Sequence, residues 1–156
     1  MLTQEQKATN DDTYKHIGRV RNLINLCCSE LLSRGEKHDQ SKLSHPEVVV
    51  FTEYTTRLAD STYGSDEYNG FLQQMKPALD HHYAQNRHHP EHFKNGIDDM
   101  NILDIVEMLC DWKAASERHN NGNIRKSIEH NANRFGMSPQ LVTILENTAD
   151  VLFSCK

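Results

Sequence analysis

The sequence lacks the marks of several large protein classes. Nowhere in its 156 residues is there a run approaching the roughly 18 apolar residues that a membrane span needs, so no membrane partner is expected. The opening MLTQEQKATNDD has neither the basic start nor the apolar stretch of a secretion signal. There is no basic excess. Lysine and arginine number 17 against 22 aspartates and glutamates, a formal charge of −5, which argues against a partner that is a nucleic-acid polymer. A small phosphorylated substrate remains compatible with that charge, because a bound cation neutralises phosphate locally. A Gly-rich phosphate loop, a GxSxG elbow and an HExxH helix are all absent, as are strand-like alternation, internal repeats and low-complexity tracts. Four cysteines occur, Cys27, Cys28, Cys110 and Cys155, with no CxxC spacing. Three of them sit in apolar helical patterns, which predicts buried thiols in a reducing, cytoplasmic setting rather than disulfides.

What is present is helical periodicity. Hydrophobic content of 37 % and charged content of 25 % suit one folded domain with a continuous core. From Asp12 to Ser33, Ile17, Val20, Ile24, Cys27/Cys28 and Leu31 recur at i, i+3, i+7, an amphipathic stripe that Gly35 should end. Ser44-His45-Pro46-Glu47 combines an N-cap serine, a first-turn proline and a capping-box glutamate. It should launch a helix through Val50, Phe51, Tyr54 and Leu58. After a loop at DSTYGSDE, with Ser65 as cap, Tyr68, Phe71/Leu72, Met75, Leu79 and His82 share a helix face that Pro77 should kink or split. Residues 84–97 have no period and read as a loop. Asp98 or Asp99 should cap a helix with Met100, Leu103, Val106, Cys110 and Ala114 inward, broken by NNGN at 120–123. Two helices should follow, at about 124–135 and 139–153. Trp112, Tyr54 and Phe71 read as core. His119 and His130, near helix ends, read as partners of the helix macrodipole. The expected fold is all-α, a single-domain bundle of six to eight helices over residues 1–156, with terminal helices apolar enough to suggest a homodimer.

Histidine is the composition figure that needs explaining. There are ten, five of them between residues 81 and 92. His38-Asp39 can aim an imidazole nitrogen and a carboxylate oxygen at one point, and both donors suit a divalent ion. His16 lies at the edge of its helical stripe, where a hairpin of two helical segments could bring it to His38. Asp104, Glu107 and Asp111 line one stripe of a later helix. For Asp104, a solvated surface acid is at least as good a reading as a functional one. Asp111, between Cys110 and Trp112, reads as a buried carboxylate that a metal would stabilise.

The order His16, His38-Asp39, Asp111 resembles the H…HD…D signature of the HD-domain superfamily of metal-dependent phosphohydrolases. HIGRVRNLINLCCSELL resembles that family's first helix, KHDQSK its HDxxK turn, and LCDWKAA the segment around its last aspartate. The similarity covers about residues 13–119 and leaves 120–156 as additional C-terminal helices. The chain is also similar to a small uncharacterised family from bacteria and phages with an HHY…N…HHPEHF block, so a phage-encoded member would work in the host cytoplasm. The resemblance implies a divalent metal (Mn, Fe, Zn, Co or Mg) on His16, His38, Asp39 and Asp111. It also implies hydrolysis of a nucleotide or related small phosphate ester by metal-activated water, with Lys42 facing the phosphate. Lys42 reads equally well as a solvated turn lysine.

DHHYAQNRHHPEHF supports three readings. His82 and His89 are the leading candidates for a second metal. Alternatively, Asn86, Arg87, His88 and His89 contact substrate or supply a general acid, with Arg87 meeting phosphate oxygens. The third reading is a polar loop held by histidine–carboxylate hydrogen bonds. A different class of function, a metal-containing module that binds a nucleotide or sequesters a partner without turnover, would use the same site.

Overall fold

The computed structural model describes residues 2–61, 65–118 and 122–153, excluding the side chains of residues 58, 59, 68 and 69. Among the described residues there are six α-helices, three short 3-10 turns and no strand. The all-α expectation therefore stands. Cys155, His119, Asn120 and Asn121, and the side chains of Leu58 and Tyr68, to which the sequence pattern assigned roles, lie outside the described residues. The chain divides into two compact units, Met1–Lys37 and His38–Lys156.

The first unit is one helix, α1 (Gln4–Lys37). Thr3 and Gln6 start it with a reciprocal cap, the Gln6 N–H donating to Thr3 Oγ1 at 3.2 Å and the Thr3 N–H to Gln6 Oε1 at 2.8 Å. The helix does not stop at Gly35; it runs on to Lys37, with Arg34 and Lys37 placed favourably in its negative last turn. No residue of α1 is buried. Cys27 and Cys28 are exposed, and so is Cys110 further on, against the expectation of buried thiols.

The second unit begins with a 3-10 turn at Gln40–Leu43, followed by α2 (Glu47–Asp60) and α3 (Asp66–Gln85). These two helices pack together. Tyr54 meets Phe71 edge-on at 6.0 Å and donates its hydroxyl to Gln74 Oε1 at 2.7 Å. Pro77 neither splits α3 nor ends it. Its ring is exposed, while Met75 and Ala78 on the opposite face are buried at 2 % and 1 % exposure and hold the helix across the lost hydrogen bond.

Two more 3-10 turns, Pro90–His92 and Gly96–Asp99, lead to α4 (Ile102–Ser116), α5 (Ile124–Phe135) and α6 (Pro139–Phe153). α4 is capped not by Asp98 or Asp99 but by Asn101, in a full capping box with Asp104. Ile105, Met108 and Leu109 of α4 meet Ile128 of α5 and Leu145 and Ala149 of α6 in the main core. Each of the isoleucine, leucine and methionine side chains contributes about 1.5–3 kcal/mol by leaving water. The buried face of α4 is therefore turned by a residue or two from the predicted one, since Cys110 and Ala114 are exposed. Gly136 ends α5 at φ +62°, the left-handed C-cap conformation that glycine adopts without strain. No helix among the described residues is long and apolar enough to cross a membrane.

Candidate metal centre

Three segments of the second unit deliver the site. Asp39 heads the first 3-10 turn at φ +56°, a left-handed conformation that costs a non-glycine residue roughly 1–2 kcal/mol and that aspartate tolerates better than most. Such strain concentrates at functional positions. His82 lies on the buried face of α3, four and seven residues on from Ala78 and Met75 in the helical repeat. His88 and His89 follow the end of α3. His89 is held extended (φ −98°, ψ 128°), as a residue before proline should be. Glu107 and Asp111 stand one turn apart on α4.

The donor atoms converge. Asp39, His82, His88 and His89 each offer one atom to a common group within which all lie inside 4.8 Å of one another, and His38, Asp39 and Asp111 form another such group. His82 Nε2 is 2.9 Å from His89 Nε2 and 3.3 Å from Asp39 Oδ1, and His88 Nε2 is 3.5 Å from the same oxygen. Four bonds of about 2.0–2.1 Å at tetrahedral angles would separate ligand atoms by about 3.3 Å. Asp39 also faces the second group: His38 Nε2 lies 3.6 Å from its Oδ2 and 3.6 Å from Asp111 Oδ1.

Hydrogen bonds at the far side of the His82, His88 and His38 rings set which nitrogen of each turns inward. His82 donates from Nδ1 to Glu47 Oε2 at 2.9 Å. His88 Nδ1 and His38 Nδ1 both reach Glu107 Oε1, at 3.2 and 3.0 Å. With Nδ1 protonated, the Nε2 of His82 and of His88 presents a lone pair inward, the carboxylate–histidine arrangement of metal sites. His88 Nε2 and Asp39 Oδ1 are buried and make no hydrogen bond. A lone pair on His88 Nε2 facing Asp39 Oδ1 at 3.5 Å repels it unless a cation lies between them, so this buried His/Asp group could hold a metal ion.

The electrostatics agree. Burial, then the neighbouring His88 and His82, push His89 down to about 3, and burial and Lys42 lower His82. Both imidazoles are neutral, as ligands must be. His38 is pushed up to about 10 by hydrogen bonds to Asp111 and Glu107, so its imidazolium answers the carboxylates of the second group. Burial works against the charge of Glu107, yet His38 and His88 hold it down at about 2. Asp39 and Asp111 are likewise lowered against burial, by Lys42 at Asp39 and by His38 at Asp111.

Several expected roles change. His16 belongs to neither group. It is exposed on α1, and one unbroken helix replaces the hairpin, leaving about 32 Å of helix between His16 and Lys37 at about 1.5 Å per residue. Arg87 is not at the centre: it forks onto Asp104 at 3.2 and 3.0 Å and lies over Phe93. Asp104, expected in solvent, is fully buried, because that fork and its own capping box satisfy it. Asn86 is buried and donates to Ser41 Oγ and to the His82 carbonyl, both at 2.8 Å, so it braces the ligand segment. His88, read as a substrate contact, stands among the donors, and so does His89, whose low pKa makes it a poor general acid. Lys42 donates to Asp39 Oδ2 at 2.7 Å.

Glu47 and Glu107 were not predicted for the site. Glu47 forgoes the capping box because His81 (2.7 Å), His82 and Ser41 (3.0 Å) give its buried carboxylate three partners where a cap offers one. Glu107 had one visible signal, its place on the Asp104–Asp111 stripe.

A cavity of about 440 Å³ opens beside the centre, bordered by His89 and Asp111 and walled by α5 and the end of α4.

Fold and site thus define an all-helical protein with a histidine- and aspartate-lined candidate metal centre. The chain belongs to a family of unknown function, DUF5662, whose model matches residues 5–151. No curated protein and no solved structure matches it.

Proposed function

We propose that this protein is a metal-dependent phosphohydrolase of the HD type, acting on a nucleotide or a related small phosphate ester. The observation that carries the proposal is the Asp39 carboxylate. Its Oδ1 faces the imidazoles of His82 and His88 and its Oδ2 faces His38, so one side chain serves two adjoining donor groups, the layout of a two-cation hydrolytic site. When bound, a divalent cation lowers the pKa of water from about 16 towards neutrality and polarises phosphoryl oxygens.

The chain's own residues supply the rest. Three imidazoles and one carboxylate favour Zn, Fe, Mn or Co over Mg, which prefers oxygen donors. The group of His38, Asp39 and Asp111 is richer in carboxylate and suits a harder ion. Glu47 and Glu107 hold His82, His88 and His38 with their Nε2 atoms inward. Lys42, next to Asp39 and 37 % exposed, is the cation best placed to meet an arriving phosphate, where charge develops in the transition state.

The test is elemental analysis of purified protein together with phosphate release from nucleotides and simple phosphate esters, with Mn, Co or Mg added. Near-stoichiometric metal and release that Asp39→Ala abolishes are expected. Bound metal without any turnover would favour a non-catalytic nucleotide-binding module instead. Protein that takes up no metal overturns both.

A further inference from the structure

The cavity beside the centre is lined largely by residues of α5 and the end of α4, and the hydrolytic proposal uses none of them except Asp111. Ser127, His130, Asn131 and Arg134 fall at i, i+3, i+4 and i+7 and so present one face of α5 to it. Tyr83, Trp112 and Phe135 supply aromatic surface. The volume of about 440 Å³ is within the range of about 300–1,000 Å³ usual for small-molecule sites.

The polar groups divide in an informative way. Arg134 is the only lysine or arginine among the described residues lining the cavity, and it is paired with Glu91. With Glu91 and Asp111 in the same lining, the cavity carries no net positive charge and is poorly suited to an anion. Asn131 gives one amide N–H to the Ser127 carbonyl at 2.9 Å, and its amide still has a second N–H and a carbonyl oxygen to offer a ligand. The Ser127 hydroxyl, 3.4 Å from the Asn123 carbonyl, is held only by a long bond. Aromatic walls with a few neutral hydrogen-bonding groups are what a flat ring with a polar edge requires.

We infer that this cavity is a specificity site that binds a planar heteroaromatic ring such as a nucleobase, with Ser127 and Asn131 on α5 reading its edge. It rests on the hydrolytic reading only for the position of the phosphate, which would lie at the His89 and Asp111 border. Ring binding itself needs neither phosphate nor metal.

Trp112 is the only tryptophan in the chain and part of the wall, so its fluorescence reports occupancy directly. Chelator-treated full-length protein is titrated with the four common ribonucleosides and, as a control, with ribose. At least one nucleoside should change Trp112 emission saturably, and ribose should not. Asn131→Leu should weaken that response tenfold or more. Ala115→Phe, at an exposed position lining the cavity, should block it without disturbing the core and serves if Asn131→Leu folds poorly. Neither change should alter metal content. No saturable response to any nucleoside, or a response indifferent to Ala115→Phe, overturns the inference. Nucleoside binding without phosphate release would overturn the hydrolytic reading and leave this one standing. Equal turnover of glycerol phosphate and nucleotides, with no Trp112 response, would do the reverse.

Discussion

Glu107 offers the sharpest perturbation of the candidate centre. Its Oε1 accepts from His38 at 3.0 Å and from His88 at 3.2 Å, so one side chain orients a donor in each of the two groups. Losing such a partner typically costs about 10–100-fold in metal affinity, or about 1.4–2.8 kcal/mol. Both bonds end on the same oxygen, and Glu107→Gln can keep that oxygen as a carbonyl while removing the charge. The glutamine variant should therefore lose about tenfold, towards the lower end of that range. Glu107→Leu removes the acceptor altogether and leaves two inward imidazoles unheld. Its loss should reach about 100-fold or more. Competition with a chromophoric chelator for Zn or Co measures both, with far-UV circular dichroism to verify that the helices persist. If both variants bind within about twofold of the parent, the nitrogens of His38 and His88 are not ligands and the argument from their hydrogen bonds fails.

Other expectations bear on the same reasoning. Metal binding should release about one proton at neutral pH, because His38, held near 10 by Asp111 and Glu107, must lose its proton to coordinate. Calorimetry in buffers of different ionisation enthalpy would count it, and zero release would refute the pairing. Chelator-treated protein should be most stable around pH 6.5. His89, lowered to about 3, contributes stability that is present above 6.5 and lost as the pH falls towards 3. His38, raised to about 10, contributes stability that is present below 6.5 and lost as the pH rises through 10. A melting temperature flat between about pH 5 and pH 9 contradicts both shifts. Glu47→Ala takes the carboxylate acceptor from the buried His82 Nδ1–H and should cost about 1–3 kcal/mol in urea unfolding; a loss near zero would show that Glu47 is not a partner. Arg87→Ala strips the fork from buried Asp104 and should cost about 1–3 kcal/mol with metal affinity unchanged. Unaltered stability with lost phosphate release would return Arg87 to a substrate role.

Much of the architecture is local and was therefore legible from residue order alone. The boundaries of α5 and α6 follow from a cap at Asn123, a left-handed stop at Gly136 and the Ser138-Pro139 start, all interactions within a few residues. The convergence of His38, Asp39 and Asp111 was anticipated from a resemblance, and the presence of a histidine block from plain counting. Partners distant in sequence decided the remainder. Glu47 carries a capping signal, and only the packing of α2 on α3 puts two histidines where a solvated cap would otherwise win. Asp104 and Arg87 read as a solvated acid and a phosphate ligand, yet across 17 positions the half-exposed Arg87 forks onto a carboxylate that is itself fully buried. Whether α1 would fold back at Gly35 was likewise beyond local rules. Glycine permits a stop there without compelling one, and the helix runs on to Lys37. Which side chains share a metal is settled by three-dimensional neighbourhood, because a coordinate bond reaches only about 2 Å and sequence spacing says nothing about which loops meet at that distance.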